Sequence, residues 1–406
     1  MSQQEHSQRA HALLSASKAE RWLNCTPSAK LEEKWVKKYG KQTSAYAAEG
    51  TLAHELAESI LSEYLGKISE DQAFIDQEAL IANPLHTEEM DGFVEVYTDF
   101  VKNRAADLAE QSGLHVKEVL SIESLSDFSD VVPEGTGIAD AIIFNGTTLE
   151  IVDLKYGKGV RVEAEGNPQL RLYAWGILQT FSLAYDIQEI RMTIVQPRLD
   201  HIVTASMSPE DLGSWVSDVV VPRAKLAWKG KGDLVPGDHC KFCQVKAKCA
   251  ALANLAYEAA QQEFKPGEPE STISDDQLAS LAEKFKWIEE WMAAARAYML
   301  QRALEGKPWP GLKLVESRTI RKWSNEQEVR KKLIAEGYSE DEFTQNKLKG
   351  IGDIEKLVGK KEFQGLLGEW VEKPKGDPTL VPESDKREAL PAPGMSQAAM
   401  DFDELM

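Results

Sequence analysis

An apolar hairpin interrupted by two acidic residues constrains this chain more than any other segment. Residues 135–157 read GTGIADAIIFNGTTLEIVDLKYG, which predicts two strands joined at Asn145-Gly146, the strongest short hairpin signal. An ionised carboxylate inside an apolar strand is costly unless a cation or strong donors lie beside it. Asp140 and Asp153 therefore need a compensating partner.

The expected strand register brings these acids together. With a two-residue turn, position 140 lies opposite position 151, so Asp140, Asp153 and Lys155 share one face of the sheet. Two such carboxylates can hold a hard divalent cation, and a nearby lysine can position a water or stabilise charge on a phosphate. The alternative is a surface ion pair between Asp153 and Lys155, and a three-residue turn would break the shared face.

The chain has four cysteines, Cys25, Cys240, Cys243 and Cys249. Its start lacks the pattern of a signal peptide and no apolar run approaches a membrane span, so we expect a soluble intracellular protein in which disulfides are disfavoured. A clustered set of thiols then indicates a metal site. Four thiolates suit either Zn²⁺ or an iron–sulfur cluster, and the spacing does not choose between them.

The composition limits how this protein can bind nucleic acid. A formal net charge of −19 over 406 residues argues against binding by bulk electrostatics. A local basic groove is still compatible with this charge, because its distribution matters more than its sum. The basic residues that fall near the hairpin and the following helix are Lys155, Lys158, Arg161 and Arg171.

Secondary structure is predicted from periodicity and capping signals. We expect helices over about 14–65 and 87–110, β-structure from 116, a helix opened by Asn167-Pro168, a strand at 190–197 and a helix at 208–228. A linker is expected at 263–270. Beyond it, an apolar seam at alternating three- and four-residue spacing predicts a long helix that packs within its own domain or dimerises; its residues are Leu278, Leu281, Phe285, Ile288, Met292, Ala295 and Met299.

Three motifs in order resemble the RecB-like branch of the PD-(D/E)XK nuclease superfamily. They are the G-x-x-x-H motif in Gly50–His54, the acid of one strand followed by Asp-Leu-Lys at the end of the next, and the Q-x-x-x-Y motif in Gln169–Tyr173. The resemblance implies that His54, Asp140, Asp153 and the carbonyl of Leu154 bind one or two Mg²⁺ or Mn²⁺ ions. It also implies that Lys155 assists the attacking water and Gln169 orients the site. Tyr173, with Arg171, Lys158 and Arg161, is then expected to contact DNA.

The opening segment carries a second resemblance. LSAS at residues 14–17 and WLNCTP at 22–27 resemble the S-x-S…W-x-x-C-P start of AddB-type and CRISPR-associated adaptation nucleases, in which one N-terminal and three C-terminal cysteines bind [4Fe–4S]. Thr26 departs from that pattern by separating Cys25 from its proline. The resemblance covers about residues 13–255 and implies a structural cluster; beyond it the chain resembles uncharacterised phage proteins of the superfamily.

These resemblances imply an α/β fold: a restriction-endonuclease-like mixed sheet flanked by helices, a four-cysteine cap and a helical C-terminal region. We expect a nuclease domain with the [4Fe–4S] cap at 1–262, the linker, an α-rich domain at 271–378 and a disordered acidic tail at 379–406. The implied activity is a Mg²⁺- or Mn²⁺-dependent DNA exonuclease of the bacterial cytoplasm, encoded by bacterium or phage, for recombination, repair or replication.

Two alternatives remain for the activity. A catalytically silent DNA-binding or scaffold protein would keep the fold and cluster, and a structure-specific endonuclease would share the site. No G-x-x-x-x-G-K-[ST] loop is present, so we expect DNA with a free end or single-stranded character as substrate. The end of the tail, MDFDELM, resembles the tip of single-stranded-DNA-binding proteins; Phe402 would anchor a replication or recombination partner, whereas the favoured interpretation is a solubilising tail.

Overall fold

The computed structural model describes residues 12–40, 45–182, 184–261, 275–317, 322–344, 348–372, 374, 376–383, 385 and 387–391. The chain divides into two compact units, Met1–Trp291 and Met292–Met406. The division falls within the long helix Asp275–Leu304. The predicted linker at 263–270 lies outside the described residues.

The first unit is built on a five-stranded mixed sheet. Its strands, in chain order and in spatial order, are β1 (Leu120–Asp127), β2 (Thr136–Phe144), β3 (Thr148–Leu154), β4 (Glu189–Gln196) and β5 (His201–Met207). The β3–β4 pair is parallel and the other three pairs are antiparallel. The predicted mixed α/β fold is confirmed.

The described helices of the first unit follow in chain order, and the last of them continues into the second unit. They are α1 (Ala19–Asn24), α2 (Ser28–Tyr39), α3 (Ala45–Tyr64), α4 (Glu70–Ile81), α5 (Glu88–Ser112), α6 (Val116–Val119), α7 (Pro168–Phe181), α8 (Pro209–Trp215), α9 (Val221–Lys229), α10 (Ala250–Gln261) and α11 (Asp275–Leu304). A π-helical turn, Val216–Val220, joins α8 to α9. The helix expected over 14–65 is therefore divided into separate helices, and α4 was not predicted.

Two apolar cores lie against the sheet. One contains Ile142 and Ile151 with side chains of α7, and the other contains Val152 with side chains of α3 and α5. Alternate residues of a strand point to opposite faces, so helices pack on both. The near-continuous apolar run of β3, buried from Leu149 to Leu154, is typical of a central strand covered on both sides.

The hairpin register differs from the prediction by two residues. The last ladder pair joins Phe144 to Leu149, which leaves 145–148 in the turn rather than two residues. The Asn145 side chain accepts from the backbone N–H groups of Thr147 and Thr148 and so stabilises this longer turn. Because the shift is even, Asp140 and Asp153 still share a face.

The second unit contains two small sheets and short helices. Strand β6 (Leu312–Glu316) pairs with β9 (Pro378–Pro382), and β7 (Lys322–Trp323) pairs with β8 (Val371–Glu372). The helices are α12 (Glu326–Ala335), α13 (Glu340–Phe343), α14 (Ile351–Val358) and α15 (Lys360–Leu367). Their buried core includes Leu333, Phe343 and Phe363. The region is thus mixed rather than only helical.

The disordered tail was predicted to begin at residue 379, which is too early. Residues 379–382 belong to β9 and pair with β6, because the apolar Thr-Leu-Val run gains a strand partner. Residues 392–406, with Phe402, lie outside the described residues. Among those described, no helix has the length and hydropathy that crossing a membrane requires.

The predicted seam of α11 is only partly covered. Leu281 is buried, whereas Leu278 and Phe285 are exposed. The choice between packing and dimerisation stays a hypothesis.

Candidate functional site

A buried carboxylate and a half-buried one lie opposite each other across the β2–β3 pair. The ladder joins Ala141 to Val152, so the next positions along it are Asp140 and Asp153. The backbone N–H of Leu154 donates to Asp140 Oδ2 at 2.8 Å. Asp153 is 2% exposed. The hairpin thus places two acids within one site at the carboxyl end of β3.

Lys155 and Gln169 complete a hydrogen-bonded chain around Asp153. Lys155 Nζ lies 2.7 Å from Asp153 Oδ2 and donates to Gln169 Oε1 at 3.0 Å. The Gln169 amide nitrogen donates to Asp153 Oδ1 at 3.1 Å and to the Tyr173 hydroxyl oxygen at 3.2 Å. One side-chain amide therefore fixes the orientation of an acid, a lysine and a tyrosine.

The start of α7 sets where Gln169 and Tyr173 lie. Asn167 is the N-cap, with its side chain accepting from the backbone N–H groups of Gln169 and Leu170, and Pro168 occupies the first helical position, as predicted. Residues four apart share a helix face. The cap therefore fixes the position from which Gln169 reaches the site.

His54 joins the site from α3. Its Nδ1 lies 3.4 Å from Asp140 Oδ1. Burial lowers the pKa of His54, but the negative charges of Asp140 and Asp153 outweigh burial and raise that pKa to about 9. Burial alone would raise the pKa of Asp140, yet the adjacent His54 holds it below its ordinary value. These opposite pKa shifts favour the charged forms of both groups.

Asp153 responds differently from Asp140. Burial raises the pKa of Asp153 above its ordinary value, and Asp140 adds to this effect while Lys155 opposes it. Two neighbouring carboxylates with pKa values displaced in opposite directions are a pattern that recurs at functional sites.

The sequence analysis missed a third acid, Glu123 of β1. The β1–β2 ladder pairs Ile122 with Ala141 and Ser124 with Ala139, so Glu123 stands across from Asp140. Its backbone has a φ of 48°, a left-handed conformation that is uncommon for such a residue. Burial, and then the charge of Asp140, raise the pKa of Glu123 to about 8. Glu123 lies in a strand where polar and apolar residues do not alternate regularly, so the sequence did not indicate a functional role for it.

Two further groups reach the same acids. Glu58 follows His54 by one helical turn in α3, and its charge acts on Glu123. Tyr97 of α5 is 1% exposed, and its hydroxyl has no hydrogen-bond partner among the described residues. Burial, and then the charges of Asp140, Asp153 and Glu123, raise the pKa of Tyr97 well above its ordinary value. The spacing of four residues between His54 and Glu58 could have indicated Glu58 from the sequence, whereas nothing in the sequence indicated Tyr97.

The donor set at these acids suits a divalent cation. Carboxylate oxygens and an imidazole are ligands that Mg²⁺ or Mn²⁺ accept. The described residues include no group of three or more His, Cys, Asp or Glu side chains already arranged to hold a metal ion. The Asp153 oxygens face Lys155 and Gln169 instead. A cation would therefore compete with these two side chains.

The basic residues predicted to contact DNA divide into two groups. Lys158 and Arg161 are exposed on the segment after β3. Gln196 anchors this segment by donating to the carbonyls of Gly157 and Val160, and Arg161 Nε donates to His201 Nδ1 at 3.0 Å. This segment therefore presents basic side chains from a fixed backbone.

Arg171 is not brought to the same place. Its guanidinium lies over the Trp215 ring at 5.4 Å and 3.7 Å from Glu165. It lies two residues from Gln169 and from Tyr173, so it is on a different face of α7. That Arg171 contacts DNA stays a prediction.

Tyr173 lines a cavity together with Ser15, Ser17 and Gly137. The opening segment of the chain therefore lies next to Tyr173. At Gly137 a Cβ atom would lie 2.5 Å from the Tyr173 ring, which is closer than packing permits. The absence of a side chain at Gly137 makes room for the tyrosine.

The four cysteines line a second cavity, in agreement with their predicted grouping. Burial raises the pKa of the Cys25 and Cys240 thiols, and it raises that of Cys243 to about 12. Cys249 is close enough to Cys25 and Cys240 for its charge to act on both. Thiolates bind metal and thiols do not, so a bound metal would have to displace protons here.

Hydrogen bonds fasten the N-terminal cysteine segment to the C-terminal one. The Thr26 hydroxyl donates to the carbonyl of Lys231 at 2.6 Å. Glu32 accepts from the backbone N–H of Gln244 and from Arg21 Nε. The residue that departs from the W-x-x-C-P pattern, Thr26, thus has a structural role. These contacts join segments that are distant in sequence around the cysteines.

Comparison with known proteins matches a family model and also finds weak structural likenesses, of which one is described here. A family model described as "Protein of unknown function (DUF2800)" matches residues 11–388. The chain is also similar to the solved structure titled "Crystal structure of SSO0001", with 14% identity, 54% of this chain and 95% of that chain covered, and a TM-score of 0.23. A likeness at this TM-score implies nothing about activity.

Proposed function

The chain belongs to the DUF2800 family, and from its own site we propose that it is a metal-dependent DNA nuclease of the PD-(D/E)XK type. One observation carries the proposal: Asp140, Asp153 and Lys155 of a single hairpin meet His54 of α3 and Gln169 of α7. These segments are far apart in sequence. A surface ion pair between Asp153 and Lys155 would not require the other two residues or such burial.

Phosphodiester hydrolysis needs charge stabilisation and an oriented water. His54, Asp140 and Asp153, with the backbone of Leu154, would hold Mg²⁺ or Mn²⁺, which polarises the phosphate and makes water more acidic when bound.

The remaining side chains of the site orient the reacting groups and stabilise the negative charge that develops on the phosphate. Lys155 supplies a positive charge and a proton donor beside Asp153, where negative charge develops on a phosphate. Gln169 holds Lys155 and Asp153 in place through its two amide ends. The exposed Lys158 and Arg161 would bind the DNA backbone near the acids, and Tyr173 would contact substrate through its cavity.

The cysteine cavity is proposed to hold a [4Fe–4S] cluster, with Zn²⁺ as the alternative. Four thiols from two distant segments line it, and this donor set fits either group. When bound, the metal would link the segments, so its binding free energy would add to folding free energy. Its role is therefore structural.

The favoured activity is that of an exonuclease that acts on single-stranded DNA or on DNA with a free end. We propose that it acts in the cytoplasm of a bacterium, in recombination, repair or replication. The sequence contains no G-x-x-x-x-G-K-[ST] motif, the nucleotide-binding loop that a helicase would need to separate strands. Partners of the tail, a single-strand-binding or recombination protein, belong to the same proposal. The rival classes are a silent DNA-binding protein and an endonuclease.

The test is digestion of 5′- and 3′-labelled linear strands beside circular single-stranded DNA, with Mn²⁺ and with EDTA. The wild type should degrade linear strands only with Mn²⁺. Asp153→Asn and Lys155→Ala should each slow cleavage by at least about 10²-fold, since removing one charge-stabilising group has that order of effect. Asp186→Asn and Lys117→Ala change exposed residues of the same types and serve as matched controls.

Each result separates the candidates. Cleavage of circles would assign an endonuclease. DNA binding without cleavage in any metal would assign the silent class. Full turnover by Asp153→Asn, with the controls equally active, would remove the site assignment.

A further inference from the structure

A buried histidine at the start of β5 binds two residues of the segment that follows Lys155. His201 is 5% exposed. Arg161 Nε donates to its Nδ1 at 3.0 Å, and its Nε2 lies 3.0 Å from the carbonyl oxygen of Val162. The Glu163 carboxylate is further away, 3.7 Å from Nε2, and is itself largely exposed. Both ring nitrogens of His201 therefore have partners on one short segment.

These two bonds fix the protonation of the His201 ring. An arginine side chain is always protonated and can only donate, so Nδ1 must accept and carries no proton. Nε2 then carries the ring proton and donates to the Val162 carbonyl. A second ring proton would replace the acceptor at Nδ1 by a donor and expel Arg161. The observed geometry therefore requires the neutral ring.

The bond to His201 fixes one end of an exposed guanidinium. Arg161 is exposed, and among the described residues its bond to His201 is the only hydrogen bond or ion pair that it makes. The bond uses the Nε–H, which leaves the two terminal nitrogens to donate elsewhere. A guanidinium presents its donors as a planar fork that matches two phosphate oxygens. An arginine that is already held in one orientation loses less conformational freedom when it binds a ligand.

The strand register places His201 at the edge of the sheet where β3 ends. Leu154, the last residue of β3, pairs with Val195 of β4, and the next residue of β4, Gln196, pairs with His201 of β5. Neighbouring strands lie about 5 Å apart, so His201 is about 10 Å from the end of β3 along the sheet. Arg161 is thus placed to bind a phosphate other than the one beside the acids.

We propose that His201 is a positioning residue for DNA binding: its neutral ring orients Arg161 so that the terminal nitrogens bind a phosphate of the strand other than the one that is cleaved. The inference rests on the proposed nuclease function. Such a contact is the same before and during cleavage, so its loss should raise KM and leave kcat nearly unchanged. The opposite interpretation is a structural His201 that only fastens Val162.

Two substitutions separate these roles, because each keeps one of the two bonds. Asparagine places its amide at the position of Nδ1, so His201→Asn keeps an acceptor for Arg161 and loses the donor to Val162. Glutamine reaches the position of Nε2, so His201→Gln keeps the donor and loses the acceptor. The assay is cleavage of a labelled linear single strand by the full-length protein with Mn²⁺, with kcat and KM measured separately. His201→Gln should raise KM by at least about fivefold, and His201→Asn should stay within about twofold of the wild type.

Double variants supply a readout that a structural role would not move. Arg161→Gln should raise KM by at least about tenfold, as the loss of a charge-assisted bond does. Adding His201→Gln to Arg161→Gln should change KM little further, because both residues act through one contact. Lys158→Gln is the matched control: it removes another exposed cation of the same segment, and its effect should add to that of His201→Gln.

The variants of Arg161 keep the proposal testable even if those of His201 fail to fold, because Arg161 is exposed. Arg161→Lys retains the positive charge but has neither the Nε–H nor the fork, and its KM should approach that of Arg161→Gln. Wild-type KM in Arg161→Lys would overturn the proposal. So would a raised KM in His201→Asn with a normal KM in His201→Gln, or additive effects of Arg161→Gln and His201→Gln. A wild type that cleaves no DNA would overturn the proposed function instead.

Discussion

His54 Nδ1 lies 3.4 Å from Asp140 Oδ1, which joins a helix near the start of the chain to the central hairpin. The pair holds the pKa of His54 at about 9, above its ordinary value of 6.5. A metal ligand must be the neutral imidazole. Binding of a cation to the His54 ring therefore requires loss of the second ring proton, the one that makes the imidazole positively charged.

This relationship predicts how stability depends on pH. A group whose pKa is raised by folding stabilises fully below its unfolded value, and that contribution is lost as pH rises through the folded value. In EDTA, the melting temperature should fall between pH 6.5 and about 9, and His54→Asn should flatten the fall. Glu123, with a pKa raised to about 8, acts in the same direction. Stabilisation by Mn²⁺ should grow over the same range; an unchanged slope in His54→Asn would contradict this account.

Loss of Cys25 should destabilise the whole first unit. Cys25 lies in the N-terminal segment and lines one cavity with three cysteines from 240–249. Protein purified without oxygen should be brown, with broad absorption at about 400 nm, as thiolate-ligated iron–sulfur clusters give. Cys25→Ser should lose the colour and melt at a lower temperature, because metal binding adds to folding. Thermal melting equal to the parent would remove Cys25 from the ligand set, and stoichiometric zinc without iron would replace the cluster by Zn²⁺.

Removal of the α7 cap should affect both stability and cleavage. Asn167→Ala leaves the N–H groups of Gln169 and Leu170 without their acceptor, which should cost about 1 kcal/mol in urea unfolding. Cleavage should also fall, because Gln169 holds Asp153 and Lys155. Ser208→Ala is the matched control. Ser208 caps α8 by accepting from Asp211 N–H, so this variant should lose similar stability and keep its activity. If Asn167→Ala and Ser208→Ala cleave DNA at equal rates, the α7 cap does not position the site residues.

Gly137→Ala should displace Tyr173. A Cβ atom at this position would lie 2.5 Å from the ring, so the ring must move and strain its hydrogen bond with Gln169. We expect a stability loss of about 1–3 kcal/mol, as for other overpacking changes, and slower cleavage. Gly92→Ala has open space around it in α5 and should be neutral or slightly stabilising. A Gly137→Ala variant with wild-type stability would show that the ring accommodates the methyl group.

The sequence by itself determined the local parts of this protein. Two apolar strands joined by a short turn predicted the shared face of Asp140 and Asp153. The even shift of the turn preserved that face because side chains alternate with a period of two. Asn167-Pro168 fixed the start of α7 through a contact between neighbours in sequence. The grouping of the cysteines followed from their scarcity and spacing.

Only the tertiary structure decided which distant groups meet these local elements. The longer turn arises from the Asn145 side chain, and it sets Asp140 opposite Asp153. Glu123 and Tyr97 carry no pattern of their own; they belong to the site because β1 pairs with β2 and α5 packs on the sheet. Arg171 was predicted from proximity in sequence, yet helix geometry turns it toward Trp215. Contacts across the fold depend on how the elements pack, which local periodicity does not specify.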